Sequence, residues 1–165
     1  MNSHSKSRRV VLIDPVADTR DIFARRLRAH GYTVDDAPDA VIGAEMALGD
    51  PPSAIISDLW MPGISGVQLC RLLCAEPATA NVPVILRSEI DDPRSRFWSR
   101  HASARALVLK GRMGELVRAI QDVVEKEPSE DESFFFHMSG GARDDIRDRI
   151  AEHLDRALFA SVLAG

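Results

Sequence analysis

The sequence predicts an α/β fold: a doubly wound, five-stranded parallel sheet. Three observations carry that prediction. Short apolar runs, most of them rich in β-branched residues, recur five times, and stretches with helical spacing separate them. Runs this short and this apolar read as strands buried on both faces, and five strand–helix units in alternation imply a parallel sheet with helices on both sides. Finally, three polar residues stand at or near the C-terminal ends of three of the runs: Asp58 after Ala54-Ile55-Ile56, Ser88 after PVIL and Arg87, and Lys110 after ALVL. In an open α/β sheet, ligands bind outside those strand ends.

The elements follow in order. Val10 to Ile13 is the first strand, ending at Asp14 and Pro15. From about Ala17 to His30, Ile22, Phe23, Leu27 and Ala29 alternate with Arg25, Arg26 and Arg28 at helical spacing, and Gly31 stops the helix. Tyr32-Thr33-Val34 reads as a short, weak strand. Asp39 to Leu48 is the second helix, ended by Gly49 and the Pro51-Pro52 pair. Ala54 to Ser57 is the third strand, Pro62-Gly63 a loop, and Ser65 to Cys74 the third helix. Val82 to Leu86 is the fourth strand, and Asp91 to about Ala102 the fourth helix, where Phe97 and Trp98 serve either the core or a partner face. Ala106 to Leu109 and Met113 to about Lys126 complete the series.

The chain then changes character. EKEPSEDES is acidic, polar and broken by Pro128, which reads as a linker. Beyond Gly140-Gly141, the residues Ile146, Ile150, Leu154, Leu158 and Val162 recur every fourth position, an amphipathic helical stripe. The expected organisation is a polar arm over 1–8, one α/β domain over 9–127, an acidic linker over 128–141 and an amphipathic helix over 142–165. From residue 128 onward, eight acids stand against four arginines. That segment alone matches the chain's net charge of -4.

Composition narrows the function. At 45% hydrophobic residues the chain of 165 can build a core. There is no basic excess of the kind a nucleic-acid surface needs, and no apolar run long enough to span a membrane. The N-terminal MNSHSKSRR lacks the apolar core of a secretory signal. Cys70 and Cys74, four apart on one helix face, have no partner cysteines or nearby histidines to make a disulfide framework or a metal site. A cytoplasmic protein binding neither nucleic acid nor membrane is expected. A carboxylate, a hydroxyl and an ammonium converging on one crevice suit phosphoryl transfer onto an aspartate. The carboxylate attacks, and the other two hold the new phosphoryl oxygens.

Three matched anchors carry a resemblance. The stretch IISDLWMPGISG, then PVILRS, then LVLK resembles the receiver domain of bacterial two-component response regulators, over roughly residues 9 to 127. The resemblance implies a flavodoxin-like receiver fold and puts Asp58 in the acceptor role, with Ser88 and Lys110 as the hydroxyl and the ammonium. It implies Mg²⁺ held by Asp14, Asp58 and the backbone carbonyl of Trp60. It further implies a histidine kinase or phosphotransfer protein as donor and an output protein as receiver of the signal. A phosphoacceptor of this kind acts autocatalytically rather than as a turnover enzyme.

Four departures bear on that expectation. Pro15 stands where the family carries a second acid, so Mg²⁺ is expected to be weakly held. A one-residue shift would instead let Asp14 take that acid's place. Glu89 follows the hydroxyl where a small residue is usual, placed either to repel a phosphate or to replace the missing acid. Gly111 follows Lys110 in place of proline, and Leu107 replaces an aromatic switch. Two function classes follow: a single-domain response regulator that signals through protein contacts, or a pseudo-receiver binding module with weak or lost phosphorylation. A hydrolase using Asp14 and Asp58 as paired carboxylates lacks a substrate-pocket signature. The C-terminal stripe is expected to pair with a second copy as a homodimer, with folding back onto its own domain as the rival.

Overall fold

The computed structural model describes residues 8–125. The expected linker and C-terminal helix, and all of the N-terminal arm except Arg8, lie outside the described residues. Strands β1 (Arg9–Ile13), β2 (Thr33–Ala37), β3 (Ala54–Asp58), β4 (Val84–Ser88) and β5 (Ala106–Leu109) alternate with helices α1 (Ala17–Ala29), α2 (Ala40–Gly49), α3 (Gly66–Ala75), α4 (Pro93–His101) and α5 (Met113–Glu125). All four strand pairings are parallel, in the order β2-β1-β3-β4-β5. The order reverses between β1 and β3, which is the switch point where such sheets bind ligands.

Side chains alternate across the strands and build two cores. Val11, Ile13, Ile55, Val84 and Leu86 face α2, α3 and the end of α4, where Ala44, Ala47, Leu69, Cys70 and Leu73 meet them. Val10, Leu12, Ile56, Ile85 and Val108 face α1 and α5, packing on Phe23, Leu27, Leu116 and Ile120. Local chemistry starts the helices facing the first core. The Asp39 carboxylate accepts the Ile42 N–H at 2.9 Å to cap α2. Ser65 and Gln68 form a reciprocal capping box on α3. Asp92 accepts the Arg94 and Ser95 N–H groups ahead of Pro93, the first residue of α4.

Two strands differ from the sequence expectation. β2 continues through Asp35 and Asp36, which hydropathy alone reads as loop. Their carboxylates pair with Arg9 at 2.7 Å and Arg20 at 3.1 Å, so acids are tolerated on this edge strand. β4 is displaced two residues toward the C-terminus and includes Arg87 and Ser88, because pairing with Asp58 on one side and Leu109 on the other continues the ladder. Arg87 is 1% exposed, a buried charge near the C-terminal end of β4.

Candidate functional site

The alternation that builds the second core also builds the site. Asp58, Arg87 and Lys110 each lie two residues beyond a residue of that core: Ile56, Ile85 and Val108. Asp14 lies two beyond Leu12 in the same way. The four side chains therefore meet at the C-terminal ends of β1, β3, β4 and β5.

Asp14 and Asp58 are buried, and Arg87 runs between them. One guanidinium nitrogen, Nη2, donates to Asp14 Oδ2 at 2.5 Å and to Asp58 Oδ1 at 2.7 Å. The guanidinium carbon lies 4.3 Å from the centre of the Phe23 ring on α1, within cation–π range. The Lys110 ammonium pairs with Asp58 Oδ2 and sits 3.9 Å from Asp14 Oδ2 and 3.1 Å from Glu89 Oε1. The remaining Asp14 oxygen accepts the Val16 N–H at 2.8 Å. Each of the four carboxylate oxygens thus has a donor.

Burial pushes the Asp58 carboxyl above its ordinary range. The Arg87 charge and the Lys110 hydrogen bond work against that rise, and neighbouring Asp14 adds to it. For Lys110, burial works against the charged form. The hydrogen bond and charge of Asp58, helped by Glu89 and Asp14, outweigh it and hold the ammonium above its ordinary range.

Ser88 is set differently. One position past Arg87, it faces the α3–α4 side of the sheet. Its hydroxyl donates to the Ile90 carbonyl at 2.8 Å and lies 3.4 Å from Ser95 Oγ. Ser95 in turn donates to Asp92 at 2.6 Å. The structure thus brings Asp14, Asp58 and Lys110 together and leaves the Ser88 hydroxyl engaged with the start of α4. Trp60 is half-exposed beside the site, with the Arg94 guanidinium 4.9 Å over its ring. Glu89 stands exposed on the rim, paired with Lys110. Gly111 takes φ +86°, the left-handed region that suits glycine after the strand end. Leu107 packs against the first core.

Arg87 is the site residue that the strand pattern conceals. Its signal is a single arginine inside an otherwise apolar buried run, PVILRS. A buried arginine without a function is a costly substitute for the Val or Ile beside it.

Known proteins place this geometry. The sequence profile of the response regulator receiver domain matches residues 10–121. The chain belongs to that family. It is 30% identical over 104 residues to the response regulator PleD of Caulobacter vibrioides, a match covering 63% of this chain and 23% of PleD. It therefore spans under a quarter of that relative's length. Protein PilH of Pseudomonas aeruginosa is 26% identical over 102 residues, covering 62% of this chain and 84% of PilH. Among solved structures, a response regulator from Chloroflexus aurantiacus superposes with a TM-score of 0.70 at 23% identity. That match covers 73% of this chain and all of the other. The chemotaxis protein CheY4 of Vibrio cholerae superposes at 0.67 and 20% identity, covering 71% of this chain and 98% of CheY4. These structural likenesses support the receiver fold that the order of motifs led us to expect.

Receiver domains generally bind Mg²⁺ at their acidic cluster. The donor set of this receiver does not fit that ion as it stands. The oxygens of Asp14 and Asp58 are all engaged, Pro15 offers no carboxylate, and the guanidinium of Arg87 lies between the two acids. Among the described residues no cluster of three or more His, Cys, Asp or Glu side chains gathers to hold a metal. None of their helices is long and apolar enough to cross a membrane.

Proposed function

We propose that this receiver works as a response regulator that accepts a phosphoryl group on Asp58 from a histidine kinase or phosphotransfer protein. The contact of the Lys110 ammonium with the Asp58 carboxylate, at the strand ends beside the switch point, is the observation that carries this reading. In the step, an Asp58 carboxylate oxygen forms the new O–P bond. The donor's P–N bond breaks, or its P–O bond for a small acyl phosphate, and the leaving group takes the electron pair. Lys110 is positioned to neutralise the phosphoryl oxygens as their charge gathers near Asp58. Ser88 reaches them by exchanging its bond to the Ile90 carbonyl, which couples the acceptor to α4.

Mg²⁺ enters this reading only as a weak ligand, for the reasons of donor set given above. The output is a change of protein contacts. The amphipathic stripe over 142–165 is its vehicle, pairing with a second copy. A cytoplasmic setting follows from the phosphodonor.

The test is intact-mass measurement of the full chain incubated with a small phosphodonor. We expect a gain of one phosphoryl group in the unsubstituted protein and no gain in Asp58→Asn. A gain that persists in Asp58→Asn would put the acceptor elsewhere. The pseudo-receiver reading predicts no gain in either protein.

A further inference from the structure

Arg87 has a placement that packing does not explain. It follows the apolar run Val84-Ile85-Leu86 along β4, and its own side chain is buried against Phe23. Burying a guanidinium is unfavourable unless its charge is matched. Its match here is divided: a single nitrogen bridges two carboxylates that arrive from two different strands. Nε and Nη1, meanwhile, are buried with no hydrogen-bond partner among the described residues. An arginine selected only to make a salt bridge would satisfy its fork on one carboxylate. Bridging two converging acids from one point is what a cation does at an acidic cluster.

Charge balance leads the same way. Asp14 and Asp58 carry two negative charges, and Arg87 and Lys110 supply two positive ones within direct contact. The buried cluster is neutral as it stands. Adding a divalent ion would leave it with an excess of positive charge and would have to displace donors from both carboxylates.

We propose that Arg87 is the resident cation of this site, tethered to β4, and that it takes the place of the divalent metal between Asp14 and Asp58. This rests on the acceptor reading of Asp58 for its functional meaning, but not for its test. Phosphoryl transfer then proceeds with Arg87 and Lys110 as the counter-charges and without a divalent ion. The site then carries the counter-charges of Asp14 and Asp58 within the chain itself. Pro15 fits the same account, because a second carboxylate at that position would leave the cluster negative beside a monovalent arginine.

The experiment compares the full chain with Arg87→Met and Arg87→Gln. Mg²⁺ binding is followed by titration calorimetry and by the shift of the melting temperature up to about 10 mM. We expect no binding heat and no melting shift in the unsubstituted protein. Both variants, freed of the tethered cation, should bind Mg²⁺ at least about ten-fold more tightly and melt higher as Mg²⁺ is added. Mg²⁺ that binds the unsubstituted protein at millimolar or lower concentration would overturn the proposal. So would variants that bind it no better than their parent. If one variant does not fold, the other is read by the same criteria, and the unsubstituted titration decides by itself. A second arm measures the mass gain with a small phosphodonor in EDTA and in Mg²⁺. The proposal expects equal gains in the unsubstituted protein and a gain that depends on Mg²⁺ in the variants. No gain anywhere would sink the acceptor reading and leave the metal titration to judge Arg87.

Discussion

Replacing Gly66 by alanine should damage the site without touching any of its charges. Gly66 opens α3, and its N–H donates to the Leu59 carbonyl at 3.0 Å, closing the loop that follows Asp58. A Cβ at this position would stand 2.1 Å from the Asp58 carbonyl oxygen, 3.0 Å from the Asp58 carbonyl carbon and 3.1 Å from the Leu59 Cα. Ordinary carbon–oxygen contacts lie at about 3.3 Å or more, so backbone must retreat by roughly 1 Å. Overpacking of this kind costs about 1–3 kcal/mol. Weakening the Gly66–Leu59 hydrogen bond adds about 1 kcal/mol, and the better helix propensity of alanine returns at most about 1 kcal/mol. The net expectation is about 1–4 kcal/mol, or on the order of 5–10 °C in melting temperature for a domain of this size. Thermal unfolding of the full chain measures it, with Gly114→Ala as the control. A Cβ at Gly114, inside α5, meets nothing within 4 Å, so that variant should melt at or slightly above the unsubstituted protein. Gly66→Ala melting within about 2 °C of its parent would refute the reasoning, since no flexible side chain is available to absorb the clash.

Two further expectations concern the acceptor and the tail. Because burial raises the Asp58 carboxyl above 3.8, the folded state holds that proton more tightly than the unfolded chain does. The resulting stability is complete below the ordinary carboxylate value and is lost as pH rises through the raised one. Asp58→Asn should therefore gain stability relative to the unsubstituted protein as pH rises across that window in urea titrations, and a pH-independent difference between the two would contradict this. For the tail, sedimentation should show a dimer for the full chain at tens of micromolar and a monomer for a chain ending near Glu127. Burying four Leu or Ile side chains of the stripe would contribute roughly 1.5–3 kcal/mol each, and a full-length monomer whose tail resists protease would favour folding back.

Much of this receiver was legible in its sequence, for reasons that also mark where reading stops. Hydrophobic runs such as VVLI and AIIS report burial on both faces directly, and a strand end followed by Asp or Lys reports a site. Asp39 and Ser65 announce helix starts, because capping is local chemistry; the sequence reading starts the fourth helix at Asp91, one residue ahead of the cap at Asp92. Arg87 is different. A charge reads as the end of a strand unless its counter-charges are visible, and Asp14 and Asp58 lie 73 and 29 residues away. Asp35 and Asp36 hide β2 in the same manner, their partners lying on β1 and α1. Ser88 shows another limit. Its place in sequence suggests convergence with Asp58 but does not show the bonds to Ile90 and Ser95 that hold its hydroxyl at the start of α4. Glu89, open in sequence to repelling phosphate or replacing an acid, pairs with Lys110, a contact that sequence spacing does not show.

The chain of hydrogen bonds from Ile90 through Ser88 and Ser95 to Asp92 gives α4 a threshold rather than a slope. Between Ser88 and Ser95, one hydroxyl closes the turn after β4 while its neighbour holds the carboxylate that caps the helix. Drawing Ser88 toward Asp58 removes the donor from the Ile90 carbonyl, the acceptor from the Ile90 N–H and the partner of Ser95 in one movement. Contacts that share one atom are lost together, so the turn from Ser88 to Ile90 opens as a unit while Asp92 keeps its own bonds to Arg94 and Ser95. The Ile90 amide accordingly serves as a native reporter: its hydrogen exchange follows the position of the Ser88 hydroxyl, whatever surface the rest of α4 presents to a partner.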